Sequence, residues 1–313
     1  MRRTYRARPY PIPVTPVEHH PHCTQMKMPN YTWGFESILP HGYFPRQKYI
    51  PRDKTSETVS ILHRGQRKLL MSEIGALTLL DPKTEYLAIY AGAAPGIHTP
   101  LLSELFPNVT FHLYDPAPFK ITQTDRIRLF NMCFTDDIAY SYTAHTGVKV
   151  FICDIRRAND EQLVWEDMLA QQRWHEILKP RLTSLKFRLP WPGNGLIGGQ
   201  EEGARSNQIE YLDGDIHLPI WGPRNTTESR LVIEEGRHFG VRMYDCLAYE
   251  EEMCYFNRMV RPSIHRWQRV RAGGLDGCYD CAAEVRLLEK YSTIWTHTRI
   301  STHRISRELQ RGI

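Results

Sequence analysis

The sequence predicts an α/β protein with a central, mostly parallel sheet flanked by helices. Apolar runs of five or six residues, typical of strands buried on both faces, alternate with longer segments whose apolar residues recur every three or four positions. The first of these runs end at a glycine turn or at an aspartate, and ligands of such sheets bind at the carboxyl ends of the strands. Strands that alternate with helices in this way favour a doubly wound order.

Arginine and proline dominate the start of the chain. Residues 1–55 contain nine prolines, which disfavour regular elements, and Arg2, Arg3, Arg6 and Arg8 make the tip basic. This stretch lacks the apolar region of a secretory signal. We predict an extended arm over residues 1–45, one main domain over residues 46–292 and a basic tail over residues 293–313.

The first half of the main domain begins with a helix over residues 65–80, because leucine and isoleucine recur along it at helical steps until Asp81 and Pro82 end it. A buried strand over 86–90 leads into a turn between Gly92 and Gly96. The elements predicted after that turn are a helix over 99–106, a strand over 110–114 and a strand over 148–153.

In the second half, apolar periodicity predicts three helices and short apolar runs predict two strands. The helices span residues 159–178, 244–260 and 278–291. The strands span residues 184–188 and 229–233.

Composition narrows the possible partners. The 313 residues, 41% of them apolar, suffice for one large domain, and no segment approaches the roughly 18 apolar residues of a membrane span. The net charge of +5 comes with 30 Arg against 10 Lys, and arginine pairs with phosphates and stacks on bases. The charge is therefore a weak indication of a nucleic-acid partner, and a solvated basic surface explains it equally well.

Seven scattered cysteines argue for a reducing compartment. Cys278 and Cys281 form a CxxC pair, but a zinc site needs a second pair, and Cys246 and Cys254 are poorly spaced to supply it. We therefore expect free thiols, no metal and a cytoplasmic location.

A nucleotide-type site is predicted where the first strand meets its glycine turn. Gly92 and Gly96 would let the backbone approach a ligand, and the following helix would favour its carboxylate. Asp115 lies 19 residues after Gly96 and ends the next strand, where an acid accepts ribose hydroxyls. The turn does not have the GxGxxG spacing of dinucleotide sites, which disfavours a pyrophosphate cradle. S-adenosylmethionine has a ribose diol and a carboxylate but no pyrophosphate, and the competing interpretation is an ordinary turn with a solvated aspartate.

Four charged residues occur in the chain order Lys-Asp-Lys-Glu: Lys68, Asp154, Lys186 and Glu228. With the turn from Gly92 to Gly96, this order resembles the FtsJ-like ribose 2′-O-methyltransferases. More narrowly, the chain is similar to the poxvirus cap-specific mRNA (nucleoside-2′-O)-methyltransferases, which also serve as the regulatory subunit of the poly(A) polymerase. The matching stretches are residues 65–70, 90–98, 154–156, 184–192, 228–233 and 249–261.

The resemblance implies a Rossmann-like methyltransferase domain that uses S-adenosylmethionine. The residues that it places around the cofactor are Gln66, Tyr90, Gly92, Gly96, His98, Asp115, Phe134, Thr135 and Arg156. One position departs from the pattern: Ala117 stands where the poxvirus proteins have an arginine, so the cofactor loses one side-chain contact.

The same resemblance assigns catalysis to the four charged residues. Lys186 would be the base or a deprotonated group that orients the ribose hydroxyl, and a lysine acts as a base only in its neutral form. Burial and the neighbouring Lys68 favour that form, whereas Asp154 and Glu228 oppose it, so we expect the two acids to orient. On its own, each of these four residues would be interpreted as part of a surface ion pair.

For the cap, the resemblance implies that Tyr49 and Trp191 sandwich the 7-methylguanine ring and that Glu250 reads its donors. A second acid of the family's pocket is replaced by Gly193, and Glu251 or Asp213 would have to substitute. For both aromatic residues, plain core packing is the competing interpretation.

The expected partners are capped mRNA and the catalytic subunit of a poly(A) polymerase, in the host cytoplasm or the virion. RNA phosphates would bind to Arg258, Arg261, Arg266, Arg269 and Arg271, although a solvated helix face explains that cluster equally well. Three alternatives remain: an RNA-binding processivity subunit, a methyltransferase of uncapped RNA, and a virion structural protein with a decayed enzyme fold.

Overall fold

A computed structural model describes residues 37–40, 45–49, 64–158, 160–191, 208–223, 226–261, 279–296, 300, 304–305 and 309. Its strands are β1 (Ile38–Leu39), β2 (Tyr86–Ala91), β3 (Val109–Tyr114), β4 (Ile127–Phe130), β5 (Val148–Cys153), β6 (Leu182–Phe187), β7 (Gln208–Leu212), β8 (Asp215–His217), β9 (Ser229–Glu234) and β10 (Val241–Asp245). Its helices are α1 (Arg64–Leu77), α2 (Thr99–Leu105), α3 (Asp136–Ser141), α4 (Glu161–Leu178), α5 (Cys246–Tyr255) and α6 (Tyr279–Tyr291).

Eight strands form the central sheet in the order β1-β8-β9-β6-β5-β2-β3-β4. The strands from β6 to β4 run parallel, whereas β9, β8 and β1 add an antiparallel edge. The chain moves outward from β2 to β4 and then crosses back to β5, so the strand order reverses between β2 and β5. In open α/β sheets, ligands bind at this switch point.

Apolar side chains cover both faces of the sheet. One core cluster joins it to α1, α2 and α6, and the other joins it mainly to α4 and α5. All six residues of β2 are buried, as expected of a strand covered on both sides. The predicted mostly parallel sheet with flanking helices is confirmed.

The predicted helix over 244–260 begins too early. Tyr244 belongs to β10, which pairs with β7 in a separate two-stranded sheet, and Asp245 then caps α5 by accepting from the Ala248 amide. The helix continues to Val260, but Phe256–Val260 is π-helical. The short elements β1, β4, β7, β8 and α3 were not predicted, because two to six residues carry little periodic signal.

Within the described ranges, no helix has the length and apolar character to cross a membrane. The same ranges contain no group of three or more His, Cys, Asp or Glu side chains that could hold a metal. Several predicted features lie outside the described residues, namely most of the arm and the tail, Gly193, Cys278, Arg266, Arg269 and Arg271.

Candidate active site

The turn after β2 brings the ends of two parallel strands together. Gly92 has a φ of 80°, and a Cβ atom there would lie 2.8 Å from the backbone nitrogen of Ile155. Asp154, directly after β5, donates its amide hydrogen to the carbonyl of Ala91 at 2.9 Å. Glycine at position 92 therefore allows the residues after β5 to pass close to the turn, which places Asp154 at the switch point.

The four charged residues predicted for catalysis meet at this edge of the sheet. Lys186 Nζ lies 3.2 Å from Asp154 Oδ1 and 3.4 Å from Glu228 Oε2. Lys68, from α1, forms an ion pair and a hydrogen bond with Glu228. Lys186 is thus held from two sides by carboxylates that come from different parts of the chain.

A fifth charged residue, Arg230 in β9, completes the cluster. In the antiparallel pairing of β6 with β9, Arg230 lies opposite Lys186, and its guanidinium donates to Asp154 Oδ1 at 2.5 Å. Arg230 is 6% exposed, which excludes a solvated role. The sequence argument missed it, because only the strand register reveals that this arginine faces the site.

Both acids of the cluster are ionised around neutral pH. Burial acts to raise the pKa of Glu228, but the charges of Lys68, Lys186 and Arg230 outweigh it and hold the pKa far below the usual range. Burial likewise opposes ionisation of Asp154, and Arg230 followed by Lys186 keeps its pKa lowered. The two carboxylates can therefore accept hydrogen bonds throughout the physiological pH range.

A cavity of about 690 Å³ opens beside this cluster. Of the predicted cofactor residues, Gly92, Asp115, Phe134 and Arg156 line it, together with Asp154. The lining residues that were not predicted are Ala94, Tyr114, Pro116, Cys133, Ile155, Arg157, Glu166, Asp167, Leu169, Ala170, Arg173 and Trp174. The volume and the mixture of aromatic and polar groups suit a ligand of nucleoside size.

Backbone amides hold Asp115 in position at the end of β3. Its Oδ2 accepts from the Ala94 amide at 3.0 Å, and its Oδ1 accepts from the Ala117 amide at 2.8 Å. Each oxygen keeps a further lone pair for a hydroxyl donor. Ala117 therefore contributes to the site through its backbone.

The remaining predicted cofactor residues do not line the cavity. Tyr90 Oη donates to Glu73 Oε1 at 2.6 Å, and His98 Nε2 lies 2.8 Å from Glu73 Oε2. His98 Nδ1 lies 2.9 Å from Gln66 Oε1. Tyr90, His98 and Gln66 thus form a cluster with the buried Glu73. In the sequence, Glu73 could be noticed as an acid on the apolar face of α1.

Two further predicted positions have clear local roles. Gly96 has a φ of 73°, and a Cβ atom there would lie 3.1 Å from Ile121 Cδ1. Thr135 caps α3 by accepting from the Ile138 amide. Both residues shape the loops around the site.

The two aromatic residues predicted to hold the cap are in contact with each other. The ring centroids of Tyr49 and Trp191 are 4.5 Å apart and the rings lie at 85°. This edge-to-face arrangement is favourable for rings that touch, and it leaves no slot between them. The predicted sandwich is therefore not preformed, and a base would enter only if one ring turned away.

Two acidic residues, Glu250 and Glu161, lie near this aromatic pair. Glu250 is 9% exposed, and burial, reinforced by the charge of Glu251, raises its pKa to about 7. The proposed substitutes for the second acid are already paired, since Glu251 lies 2.7 Å from Arg46 and Asp213 lies 3.7 Å from Arg242. An acid that was not predicted, Glu161, accepts from the Trp191 amide at 2.8 Å.

The prediction that Arg261 holds RNA phosphates is wrong. Arg261 is 5% exposed, and its guanidinium lies 2.7 Å from Asp280 in α6. A buried, paired arginine is not available to a polyanion. Arg258, one turn earlier, is partly exposed.

Comparisons with known proteins agree on one family. A family model described as the poly A polymerase regulatory subunit matches residues 44–295. The cap-specific mRNA (nucleoside-2′-O-)-methyltransferase of fowlpox virus (strain NVSL) is 27% identical over 227 residues, which cover 64% of this chain and 69% of the viral protein. The protein of the same name from myxoma virus (strain Lausanne) is 25% identical over 241 residues, 69% of this chain and 67% of that protein.

Two solved structures match part of this chain. Bluetongue virus VP4, described as a multifunctional RNA-capping production line, matches 69% of this chain with 11% identity and a TM-score of 0.47, and this chain spans 33% of VP4. Human methyltransferase-like protein 13 in complex with SAH matches 68% of this chain and 97% of its own length, with 10% identity and a TM-score of 0.35.

Proposed function

The chain belongs to the poly A polymerase regulatory subunit family, and from this premise we propose that it methylates the ribose 2′-hydroxyl of the first transcribed nucleotide of capped mRNA. The observation that carries the proposal is the position of Lys186, which lies in β6, 3.2 Å from Asp154 at the switch point of the sheet and 3.4 Å from Glu228. Asp154 also borders the cavity of about 690 Å³. A nucleophile and a methyl donor would therefore meet beside Lys186.

The cavity fits S-adenosylmethionine. Asp115, fixed by two backbone amides, offers its free lone pairs to the ribose hydroxyls, and Phe134 provides an apolar wall. Arg156 Nη2 is buried without a hydrogen-bond partner among the described residues, which suits a ligand with an anionic group. When bound, S-adenosylmethionine supplies an electrophilic methyl group.

Lys186 activates or orients the nucleophile, the ribose 2′-hydroxyl. In this proposal its Nζ contacts the 2′-hydroxyl and either takes its proton or holds it in line for attack. Asp154 and Glu228 keep Nζ in place, while Lys68 and Arg230 balance their charge. No metal is required in this scheme, and the division into arm (1–45), methyltransferase domain (46–292) and tail (293–313) remains part of the proposal.

The decisive experiment compares RNAs that differ only in their cap. The protein is incubated with labelled S-adenosylmethionine and a short RNA that carries a 7-methylguanosine cap, beside the same RNA without a cap. We expect label on the first ribose of the capped RNA alone. Equal labelling of both RNAs would leave a ribose methyltransferase without cap specificity, and no labelling with no cofactor binding would overturn the proposal.

Trp191→Ala is expected to raise KM for capped RNA about tenfold, because the variant removes one stacking face from the cap. Cofactor binding, measured by calorimetry, should stay unchanged, since Trp191 does not line the cofactor cavity. Unchanged KM for capped RNA would disprove the cap assignment of Trp191.

Cap affinity should also depend on pH through Glu250. Only the ionised carboxylate accepts from the N1 and N2 hydrogens of guanine, and burial raises the pKa of Glu250 to about 7. Affinity is therefore expected to fall as the pH drops from about 7 to 5, by up to roughly tenfold per pH unit. Glu250→Gln is the matched control, and fluorescence titration with a cap analogue should show a flat profile for it. A wild-type profile as flat as that of the control would refute this role.

The family description favours a second role, as a subunit that assists a poly(A) polymerase. Lys186→Ala separates the two roles, because tail extension by the polymerase should not depend on a group that handles the 2′-hydroxyl. A cytoplasmic setting completes the proposal, in line with the free thiols of Cys133, Cys153 and Cys246.

A further inference from the structure

The backbone that leads to Glu228 is held by one helix. Three side chains of α5 and its π-helical extension, Tyr249, Asn257 and Arg261, donate to carbonyls that precede Glu228. The accepting carbonyls are Thr227 for Tyr249, Thr226 for Asn257 at 2.8 Å, and Gly222 and Pro223 for Arg261 at 2.9 and 3.4 Å. The position of the Glu228 carboxylate therefore depends on this row of donors.

Helix α6 also binds the backbone that leads to Glu228, at Trp221. Asp280 accepts from the amide of Trp221 at 2.8 Å and forms an ion pair with Arg261 at 2.7 Å. One turn later, Glu284 accepts from Trp221 Nε1 at 2.6 Å. Trp221 itself has a φ of 65°, a conformation that a non-glycine residue keeps only when its surroundings enforce it.

The network continues to the other partner of the Glu228 ion pair. Glu284 also binds Arg67, at 2.6 and 2.8 Å, and Arg67 directly precedes Lys68 in α1. Neighbouring helical residues point about 100° apart, so anchoring Arg67 against α6 sets the direction of Lys68. Lys68 is thus connected to α6 through Arg67 and Glu284, and the backbone before Glu228 is connected to α6 through Trp221, Arg261 and Asp280.

Because the side chains of this network are buried, the loss of any one of them should disturb the others. The side chains of Arg67 and Glu284 are 2% and 0% exposed, and those of Arg261 and Asp280 are 4% and 2% exposed. A buried charge that loses its partner is strongly unfavourable, so the chain must shift to find another. Such a shift would reach Glu228, which lies 3.4 Å from Lys186.

We propose that Asp280 and Arg261 are positioning residues for the reaction, which act by fixing Glu228 and Lys68 around Lys186. This inference rests on the proposed function, and it gives Arg261 a role other than RNA binding. None of these residues lines the cofactor cavity, so their contribution should appear in the chemical step.

The first test is Asp280→Asn, which keeps an acceptor for the Trp221 amide and removes the charge opposite Arg261. We expect kcat to fall about tenfold, because a misplacement of about 1 Å can cost roughly a hundredfold and a shift transmitted through the backbone should be smaller. KM for capped RNA and Kd for S-adenosylmethionine should change less than about twofold. Tyr291→Phe in the same helix is the control, since it removes a buried hydrogen bond to the Leu105 carbonyl and should leave kcat unchanged.

A double-mutant cycle distinguishes positioning from general destabilisation. In a Glu228→Gln background, Asp280→Asn should have little further effect on kcat, because the group through which it acts has already changed. Independent, additive losses would overturn the inference, and so would an unchanged kcat in the single variant. If Asp280→Asn does not fold, Trp221→Phe takes its place, since it keeps an aromatic ring and the amide that binds Asp280 but removes the hydrogen bond from the indole to Glu284.

Chemical labelling of Lys68 does not require catalysis, so it tests this inference independently of the proposed function. Lys68 is partly protected by its ion pair, so its labelling by acetic anhydride should rise in Asp280→Asn and stay at the wild-type level in Tyr291→Phe. If labelling of Lys68 rises in Asp280→Asn but the wild-type protein has no methyltransferase activity, the positioning network is retained and the proposed function is rejected. Unchanged labelling in an active protein would reject the network alone.

Discussion

Lys186→Ala is expected to lower kcat for methylation of capped RNA by about a thousandfold, within the range for loss of a group that handles the reacting proton. Asp154 and Glu228 would keep their other partners, Arg230 and Lys68, so the fold should survive. Kd for S-adenosylmethionine should change little, because Lys186 does not line the cofactor cavity. Labelled methyl transfer and calorimetry measure the two quantities separately.

Lys186→Arg sharpens this experiment. Arginine keeps the positive charge but cannot act as a base at physiological pH. An arginine variant as inactive as the alanine variant would favour proton removal by Lys186 or a strict steric demand, whereas partial activity would favour orientation of the hydroxyl. More than about a tenth of wild-type activity in Lys186→Ala would contradict the assignment of Lys186 to the chemical step.

Gly92→Ala is expected to abolish cofactor binding. The new Cβ would lie 2.8 Å from Ile155 N and 2.9 Å from the carbonyl carbon of Asp154, and neither backbone atom can rotate away. The end of β5 must then move away from β2, which displaces Asp154 and one wall of the cavity. We expect Kd for S-adenosylmethionine to rise at least about a hundredfold, together with a lower Tm.

Gly236→Ala is the matched control for that variant. Gly236 also has a positive φ, 81°, but a Cβ atom there meets nothing within 4 Å. It therefore carries the conformational cost without the clash. Equal losses of cofactor binding in both variants would contradict the close approach as the cause, while a loss confined to Gly92→Ala would support it.

Much of the architecture was predictable because its signals are local. The strand β2 is a continuous apolar run, β3 and β5 are mostly apolar, and the glycine turn and the two aspartates that follow these strands mark the ligand edge of the sheet. Lys68, Lys186 and Glu228 were identified only by their order and by resemblance, since each in isolation looks like a surface charge. The structure brings the four charged residues together as expected.

The missing parts of the site depend on tertiary contacts. Arg230 faces Asp154 only because β9 pairs antiparallel with β6 in one particular register. Glu161 begins a helix, which is an ordinary place for an acid, and only the loop after β6 brings the Trp191 amide to it. Arg261 resembled a solvated basic residue because neither the partner in α6 nor its burial can be derived from one-dimensional spacing.

The ion pair between Arg67 and Glu284 joins residues 217 positions apart. During synthesis Arg67 leaves the ribosome long before its partner, so α1 cannot reach its final environment until α6 has been made. Contacts of such sequence separation close large loops and slow the folding reaction. Maturation of the candidate active site is therefore coupled to synthesis of α6, and growing chains should remain without activity until α6 docks.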